Sequence, residues 1–326
     1  MNYLEGAKCL VTGGAGFVGS AIVDQLLDAG AAEVRVLDNF VRGNMSNLSQ
    51  AFEKGGVTVT NGDVTDRALV DNLVQGVDYV FHEAALRITR CAEAPREAVA
   101  VLIDGTLNVL ESAVRHRVKK VVAASSASVY GEPSYLPIDE SHPFNNRTMY
   151  GAGKIAGEQM LRAYYTSSGL PYVAFRYFNV YGPRMDITGV YTEVLIRWLD
   201  AIESGKSPLI FGDGSQSMDF VFIDDVARAN LLAAQSDVTD EVFNVGTGIQ
   251  TSLDQLCEVL LRMTDSKLRP EYREARSVAN VQARRAAVEK AKQQLGFEAK
   301  VSLQQGLREL IRWRHGVRQP VAVVAG

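Results

Sequence analysis

Val11-Thr12-Gly13-Gly14-Ala15-Gly16-Phe17-Val18-Gly19 is the stretch that decides the fold of this chain. An apolar run at 8–12 leads into it, and an amphipathic run at 20–27 follows it. This order predicts a strand, a glycine-rich turn and a helix. Such a turn offers bare backbone N–H groups and the positive end of a helix dipole to an anion. The stretch therefore predicts a binding site for the phosphates of a dinucleotide.

An acidic residue follows at the spacing that a dinucleotide site requires. A second strand, predicted over 33–38, ends in Asp38, nineteen residues after Gly19. A carboxylate there accepts hydrogen bonds from the adenosine ribose hydroxyls and repels a 2′-phosphate, which favours NAD over NADP. Arg35 and Arg42 lie nearby and leave NADP open. Alternatively, Asp38 is a turn or helix-capping residue beside Asn39.

Composition restricts the class of protein. The 326 residues are 47% hydrophobic and 22% charged, as in ordinary globular enzymes, and the net charge of −4 indicates no nucleic-acid partner. The three separated cysteines favour a reducing, cytoplasmic compartment, and the four scattered histidines give little support for a metal site. We expect neither a signal peptide nor a membrane span, because no apolar run is long enough.

Short apolar runs alternate with helical stretches up to about residue 180. This alternation predicts an α/β fold with a doubly wound parallel sheet, buried on both faces. The predicted strands are 8–12, 33–38, 57–62, 78–83, 119–124 and 171–177, and the main helices are 96–115 and 149–168.

The alternation breaks after residue 180. Helices are predicted at 187–205 and 224–235, a turn at 212–214, and a basic, partly helical segment at 276–295. We interpret 1–180 as a dinucleotide-binding domain to which segments near 221–248 return. Residues 181–316 are then mainly a smaller substrate-binding lobe, and 317–326 a tail.

Two further segments follow predicted strands and face the same sheet edge. The segment 61–64, with Asp63 and Val64, is placed to contact the adenine, and Ala84-Ala85-Leu86-Arg87 is placed to pass under the dinucleotide. The small alanines permit close approach, although alone they would be ordinary residues at a helix start.

Tyr150 and Lys154 are four residues apart on a predicted helix and therefore share one face. An ammonium beside a phenol stabilises the phenolate and lowers its pKa from about 10, which makes a general base suited to an alcohol. Ser126 follows the strand at 119–124, where a hydroxyl can hold a reacting oxygen. Alternatively, the serines of 125–128 form a turn that caps a helix.

Together these motifs resemble the extended short-chain dehydrogenase/reductase family, above all its nucleotide-sugar epimerases of the UDP-galactose 4-epimerase type. The resemblance covers nearly the whole chain and rests on 12–19, Asp38, Asp63, 126–131, Tyr150 with Lys154, and 176–183. It implies a Rossmann-type fold, NAD as cofactor, a nucleotide-sugar substrate and a homodimer.

The resemblance also implies roles for individual residues. Tyr150 is the base, Lys154 binds the nicotinamide ribose, Ser126 bonds the sugar O4, and Tyr177 lies near the nicotinamide. The remaining cofactor residues are Gly13, Gly16, Phe17, Val18, Gly19, Asp38, Asn39, Asp63, Val64, Ala84, Ala85 and Arg87. The substrate residues, besides Ser126, are Asn179 at the diphosphate, Phe211 at the nucleobase, and Arg284 and Arg184 at phosphate.

Departures from the family pattern refine the expected reaction. Ala127 and Ser128 stand where related dehydratases carry Asp-Glu and related decarboxylases carry Glu, which favours epimerisation at C4 of a UDP-hexose. Leu102, Met218 and Ala287 replace the usual Asn, Arg and Asp, and leave the sugar and the nucleotide open. Glu83 replaces a Leu close to the cofactor; one reading pairs it with Arg87.

One alternative to a 4-epimerase is a net reductase or dehydrogenase acting on a nucleotide sugar. Another is an enzyme that catalyses a different reaction of the same family. A non-catalytic dinucleotide sensor is the more distant one, because a sensor has no need of Ser126, Tyr150 and Lys154 together.

Overall fold

A central sheet of seven parallel strands organises the protein. The computed structural model describes residues 3–187, 194–274 and 281–318. The strands are β1 (Lys8–Thr12), β2 (Glu33–Asp38), β3 (Val57–Asn61), β4 (Tyr79–His82), β5 (Lys120–Ser126), β6 (Tyr172–Tyr177), β7 (Asn179–Tyr181), β8 (Leu209–Phe211), β9 (Ser217–Met218), β10 (Phe220–Phe222), β11 (Glu241–Val245), β12 (Thr251–Ser252) and β13 (Glu271–Arg273). The sheet order is β11-β6-β5-β4-β1-β2-β3.

Helices cover both faces of this sheet. They are α1 (Phe17–Asp28), α2 (Ser49–Lys54), α3 (Arg67–Val74), α4 (Ile88–Glu93), α5 (Pro95–Val99), α6 (Gly105–Arg115), α7 (Met149–Ser168), α8 (Val194–Glu203), α9 (Ile223–Ala234), α10 (Leu253–Met263), α11 (Glu289–Leu295) and α12 (Leu303–Arg318). None of those that the structure describes combines the length and the apolar character needed to cross a membrane.

Neighbouring residues of a central strand belong to different apolar clusters, since successive side chains point to opposite faces. Val122 of β5 packs in the cluster that contains Ile22 of α1 and Val226 of α9. Val121 packs in the cluster that contains Leu161 of α7. The two buried faces explain the continuous apolar runs and confirm the doubly wound fold.

The sheet order reverses between β1 and β4, which lie side by side at its centre. Thr12 pairs with His82, so the glycine turn after β1 and the segment after β4 emerge next to each other. In doubly wound sheets, ligands bind at the carboxyl ends of the strands at such a reversal. The topology therefore places the predicted dinucleotide site at this edge.

The predicted strands and helices agree with those of the structure, apart from local differences. All six predicted strands are present, and β11, which falls within 221–248, pairs with β6 at one edge of the sheet. Helix 224–235 corresponds to α9, and of 276–295 only α11 is helical among the described residues. Part of helix 187–205, part of 276–295 and most of the tail lie outside them; the division into two lobes stays a prediction.

The helix predicted over 96–115 is interrupted. Residues Ala100–Asp104 form a π-helical turn between α5 and α6. The side chain of Leu102 in this turn packs on α7 at Gly153, where an added Cβ would lie 2.7 Å from Leu102 Cδ1. A π turn adds one residue to a helical turn and redirects side chains. The interruption seats Leu102 against α7.

Glycine at position 19 is required by the backbone itself. A Cβ there would lie 2.2 Å from the carbonyl oxygen of Gly13, and Gly13 has a positive φ of 69°. Gly19→Ala should therefore destabilise the protein by about 2–3 kcal/mol and cause loss of bound dinucleotide, because the obstructing atom is backbone. Denaturant unfolding and assay of retained dinucleotide test this.

Gly157→Ala is the matched control, because Gly157 is also a helical glycine but has nothing within 4 Å of the added Cβ. It should leave stability unchanged or raise it by up to about 1 kcal/mol. Equal stability of the two variants would contradict the close approach inferred for Gly19.

Candidate active site

A cleft of about 430 Å³ lies at the carboxyl ends of the central strands. All fifteen predicted cofactor residues line it: Gly13, Gly16, Phe17, Val18, Gly19, Asp38, Asn39, Asp63, Val64, Ala84, Ala85, Arg87, Tyr150, Lys154 and Tyr177. Residues from five strand ends, α1 and α7 thus converge on one elongated site, although their roles stay predictions.

Asp38 connects the turn after β1 to the turn after β2 by hydrogen bonds at one end of the cleft. Its carboxylate accepts hydrogen bonds from the backbone N–H groups of Ala15, at 3.0 Å, and Phe40, at 2.8 Å. Burial raises its pKa, and these hydrogen bonds oppose that rise. The turn interpretation of Asp38 is therefore correct, and the residue also lines the cleft.

The two arginines that left NADP open have partners in the protein. The Arg35 guanidinium donates to the carbonyl oxygens of Leu73, at 2.9 Å, and Gln75, at 2.8 Å. Arg42 forms an ion pair with Asp186 at 3.6 Å. Both arginines therefore interact with other groups of the protein, as expected where NAD is the cofactor.

Buried His82 links the glycine turn to α6 through two threonines. Thr12 Oγ1 lies 2.8 Å from His82 Nδ1, and His82 Nε2 lies 3.0 Å from Thr106 Oγ1. Because Thr106 donates to the Leu102 carbonyl at 2.8 Å, we assign the proton of the ring to Nε2. Burial and the nearby Lys154 ammonium lower the pKa of His82 to about 3, so the ring is neutral.

Tyr150 and Lys154 line the opposite end of the cleft, and Ser126, which is not among the cleft-lining residues, adjoins Tyr150. Helix α7 begins at a Thr148 cap, whose hydroxyl accepts from the Gly151 N–H at 3.0 Å, and this start directs Tyr150 to the cleft. The Ser126 hydroxyl is hydrogen-bonded to Tyr150. Lys154 Nζ donates to the Ala124 carbonyl at 2.7 Å and lies 5.9 Å from the Tyr150 ring centroid.

The expected lowering of the phenol pKa is wrong for the protein alone. Burial raises the pKa of Tyr150 to about 12, and the hydrogen bond with Ser126 only partly opposes this. The Lys154 ammonium is directed at the Ala124 carbonyl and faces Glu83, so it does not act on the phenol alone. Deprotonation of Tyr150 needs further positive charge beside it.

Glu83 has a different partner from the one suggested by the sequence. The Tyr177 hydroxyl donates to Glu83 Oε1 at 3.0 Å, and Asn230 Nδ2 donates to the same hydroxyl at 2.8 Å. Arg87 instead forms an ion pair with Asp186. The pairing of Glu83 with Arg87 was thus wrong, and sequence analysis missed Asn230 and Asp186, which lie far along the chain.

A buried ion pair holds α7, the helix that carries Tyr150 and Lys154, against the sheet. Arg176 donates to both Glu158 oxygens, at 2.9 and 2.7 Å, and the Ser125 hydroxyl also donates to Glu158. Glu158 belongs to α7 and Arg176 to β6. Bidentate pairing fixes both side chains, so it holds the helix that bears Tyr150 against the sheet.

The predicted substrate residues are dispersed. Arg184 lines the cleft, where it pairs with Asp24 of α1 at 2.6 Å. Asn179, Phe211 and Arg284 are not among the cleft-lining residues; they begin β7, end β8 and follow the bridge at Ala283, respectively. The buried Nε of Arg284 has no hydrogen-bond partner, and burial lowers its pKa. Their roles stay predictions.

Among the described residues, no cluster of metal-ligating side chains was found. The polar side chains that line the cleft carry phenol, hydroxyl, ammonium, guanidinium and carboxylate groups.

Comparison with known proteins places these observations in a family. A model described as the NAD dependent epimerase/dehydratase family matches residues 9–246. The chain is 36% identical, over 93% of its length, to a putative UDP-glucose 4-epimerase of Methanocaldococcus jannaschii, of which it covers 97%. It is 32% identical to a UDP-N-acetyl-alpha-D-glucosaminuronate decarboxylase of Bacillus cytotoxicus, with 94% of this chain and 97% of that protein covered.

A solved structure is similar throughout. It is that of a UDP-glucose 4-epimerase from Thermotoga maritima with UDP-glucose, with a TM-score of 0.89 and 34% identity. The match covers 95% of this chain and 99% of that chain.

The neutral His82 predicts a pH dependence of stability. Below its usual pKa of about 6.5 the unfolded chain takes up a proton that the folded chain does not bind until far lower pH. Because of this group, the free energy of unfolding therefore falls by about 2 kcal/mol as the pH is lowered from about 7.5 to about 5. Urea unfolding of the protein and of His82→Gln across this range tests it.

His82→Gln should be less stable than the parent at neutral pH, and the difference should shrink by about that amount in acid, because glutamine does not titrate. A difference that stays constant over the range would contradict a neutral, buried His82.

Proposed function

The chain belongs to the NAD dependent epimerase/dehydratase family, and on this premise we propose that it is an epimerase that inverts C4 of a nucleotide-diphosphate sugar, a UDP-hexose. The observation that carries the proposal is that Tyr150 and Lys154 line one end of the cleft and that the Ser126 side chain interacts with Tyr150 there. The similarity to proteins named as UDP-glucose 4-epimerases supports it.

The cofactor of this family is NAD, and the cleft fits it. The Gly13 turn leaves no room for a side chain, since a Cβ there would lie 2.8 Å from the Ala84 nitrogen, and the Gly13 N–H donates to the Leu37 carbonyl at 2.7 Å. The turn therefore leads the chain closely into α1, whose N-terminus at Phe17 lines the cleft and would hold phosphate. Asp38 and Asp63 line the adenosine end, and Lys154 lines the other. When bound, NAD supplies a cationic ring that takes up a hydride and returns it.

Tyr150 and Ser126 handle the proton of the reaction. As C4 of the sugar is oxidised to a ketone, the proton of the C4 hydroxyl passes to Tyr150, with Ser126 hydrogen-bonded to the reacting oxygen. The sugar then turns about its diphosphate link. Tyr150 gives the proton back as C4 is reduced on the opposite face. Lys154 stabilises the phenolate, and a bound cationic ring would add the further positive charge that deprotonation of Tyr150 needs.

Two residues favour epimerisation over decarboxylation, a reaction named for a similar protein. Ala127 is buried, and Ser128 accepts a hydrogen bond from the Ser126 hydroxyl at 3.1 Å. Neither supplies a carboxylate beside the sugar, so nothing at these positions acts as a second acid or base. Oxidation and re-reduction at C4 require only Tyr150 and Ser126.

The remaining assignments belong to the same proposal. Residues 181–316 form mainly the substrate lobe, where Asn179 and Arg284 hold the diphosphate and Phe211 contacts the nucleobase. The cleft position of Arg184 also lets it approach phosphate. The protein acts in the cytoplasm.

Tyr150→Phe removes the proposed base but keeps the ring. Turnover should fall by about 10²–10⁴-fold, because a proton acceptor of this kind contributes that much, while NAD stays bound. The assay offers UDP-, dTDP-, GDP- and CDP-hexoses without added cofactor and separates the C4 epimers; released NAD is measured after denaturation.

Tyr164→Phe is the matched control, since Tyr164 lies on the same helix, is partly exposed and does not line the cleft. It should retain full activity. Unchanged activity of Tyr150→Phe would refute the base, and net accumulation of reduced nicotinamide in step with product would favour a reductase or dehydrogenase.

We also propose that the protein is a homodimer. Val99 of α5, Ile88 of α4 and Met149 of α7 are large apolar side chains left 39%, 44% and 38% exposed. Burial of such side chains against a second copy stabilises association. Light scattering should give twice the chain mass of 35.5 kDa. A single-chain mass at all concentrations would overturn this.

A further inference from the structure

The cationic side chains around the Tyr150 end of the cleft differ in whether their partner is charged or neutral. Arg87 and Arg42 pair with Asp186, and Arg184 pairs with Asp24. Lys154 instead donates to a neutral carbonyl. Its ammonium is buried, so its field reaches any group that occupies this end with little screening by water.

Glu83 is the carboxylate that faces this ammonium from the end of β4. It lines the cleft with Tyr150, Tyr177 and Lys154, and its oxygen is held by the Tyr177 hydroxyl at 3.0 Å. The titratable groups around it are Lys154 and Tyr150 of α7 and Tyr177 of β6. Burial raises the pKa of Glu83 to about 7, although Lys154 and the Tyr177 hydroxyl oppose the rise, so the carboxylate form prevails only above neutral pH.

We propose that Glu83 sets the balance between the oxidised and the reduced forms of the bound dinucleotide, in favour of the oxidised form. This rests on the proposed placement of the nicotinamide at the Tyr150 end of the cleft. The oxidised ring carries a positive charge and the reduced ring carries none. Lys154 therefore disfavours the oxidised form, and the Glu83 carboxylate offsets it.

This balance matters in a reaction in which the hydride taken from the sugar is later returned to it. In the first half, the sugar C4–H bond breaks with both electrons as hydride passes to the ring, and the hydroxyl proton goes to Tyr150. The second half reverses both transfers. If the ketone leaves early, the protein is left with reduced cofactor and cannot start another cycle. A carboxylate that favours the oxidised ring drives the hydride back to the sugar.

Glu83→Gln tests this, because the amide keeps the size of the side chain and its acceptor for Tyr177 but removes the charge. At about pH 8.5, where Glu83 with its pKa of about 7 is ionised, the holoenzyme is incubated without sugar in mixtures of NAD and its reduced form, started from excess of either until both give one bound ratio. After rapid gel filtration, the bound forms are released and separated. The reduced-to-oxidised ratio should rise about tenfold in the variant, as expected for one nearby charge.

Two controls separate charge from position. Tyr177→Phe removes the hydrogen bond but leaves the carboxylate, so the ratio should change less than about threefold. Asp63→Asn removes the same charge at the other end of the cleft, where Asn39 donates to Asp63 at 2.6 Å. It should weaken the binding of both forms alike and leave the ratio unchanged.

An unchanged ratio in Glu83→Gln overturns the proposal, as does an equal rise in Tyr177→Phe or in Asp63→Asn. The measurement contains no sugar and so does not depend on the reaction catalysed. Failure of the 4-epimerase assignment would appear in the product assay with Tyr150→Phe, whereas failure of the role of Glu83 would appear only here.

Discussion

The hydrogen bond from Lys154 Nζ to the carbonyl oxygen of Ala124 joins the catalytic helix to the end of β5, and the site depends on it. A buried ammonium is costly unless it has hydrogen-bond acceptors and a nearby opposite charge. The carbonyl supplies the first and Glu83 the second. Tyr150, one turn earlier on α7, is placed beside Ser126 by the same contact. The position of the phenol thus follows from how a neighbouring charge is accommodated.

The buried ion pair of Glu158 and Arg176 completes this arrangement. It lies one turn beyond Lys154 and joins the same helix to β6. Helix α7 is therefore connected to two adjacent strands by side chains at successive turns, both of which are charged. Such polar contacts have defined directions, whereas apolar packing allows a helix to slide. They suit a site whose phenol must stay within reach of a reacting hydroxyl.

Local patterns predicted the fold and the cofactor residues that line the cleft, whereas Ser126, Asn179, Phe211 and Arg284 are not among its lining residues. The glycine turn, the apolar strands and the i, i+4 pair depend on neighbours in sequence, and all of them lie where expected. The contacts of Glu83 could not be predicted in this way, because Tyr177 and Asn230 are separated from it by 94 and 147 residues along the chain. The pKa of Tyr150 was predicted in the wrong direction for a similar reason, since burial is a property of the folded site.

In the proposed reaction, the substitutions near the sugar and near the ring act on different steps. Ala127 and Ser128 limit what acid–base chemistry is available once C4 is oxidised, because no carboxylate follows Ser126. Glu83 acts earlier, on the charge that oxidation of C4 removes from the ring. A dehydratase with the same Tyr150 and Lys154 also needs its hydride returned, so a carboxylate at position 83 does not distinguish the two reactions. Residues 127 and 128 therefore distinguish epimerisation from dehydration, whereas residue 83 governs how efficiently the hydride returns to the sugar.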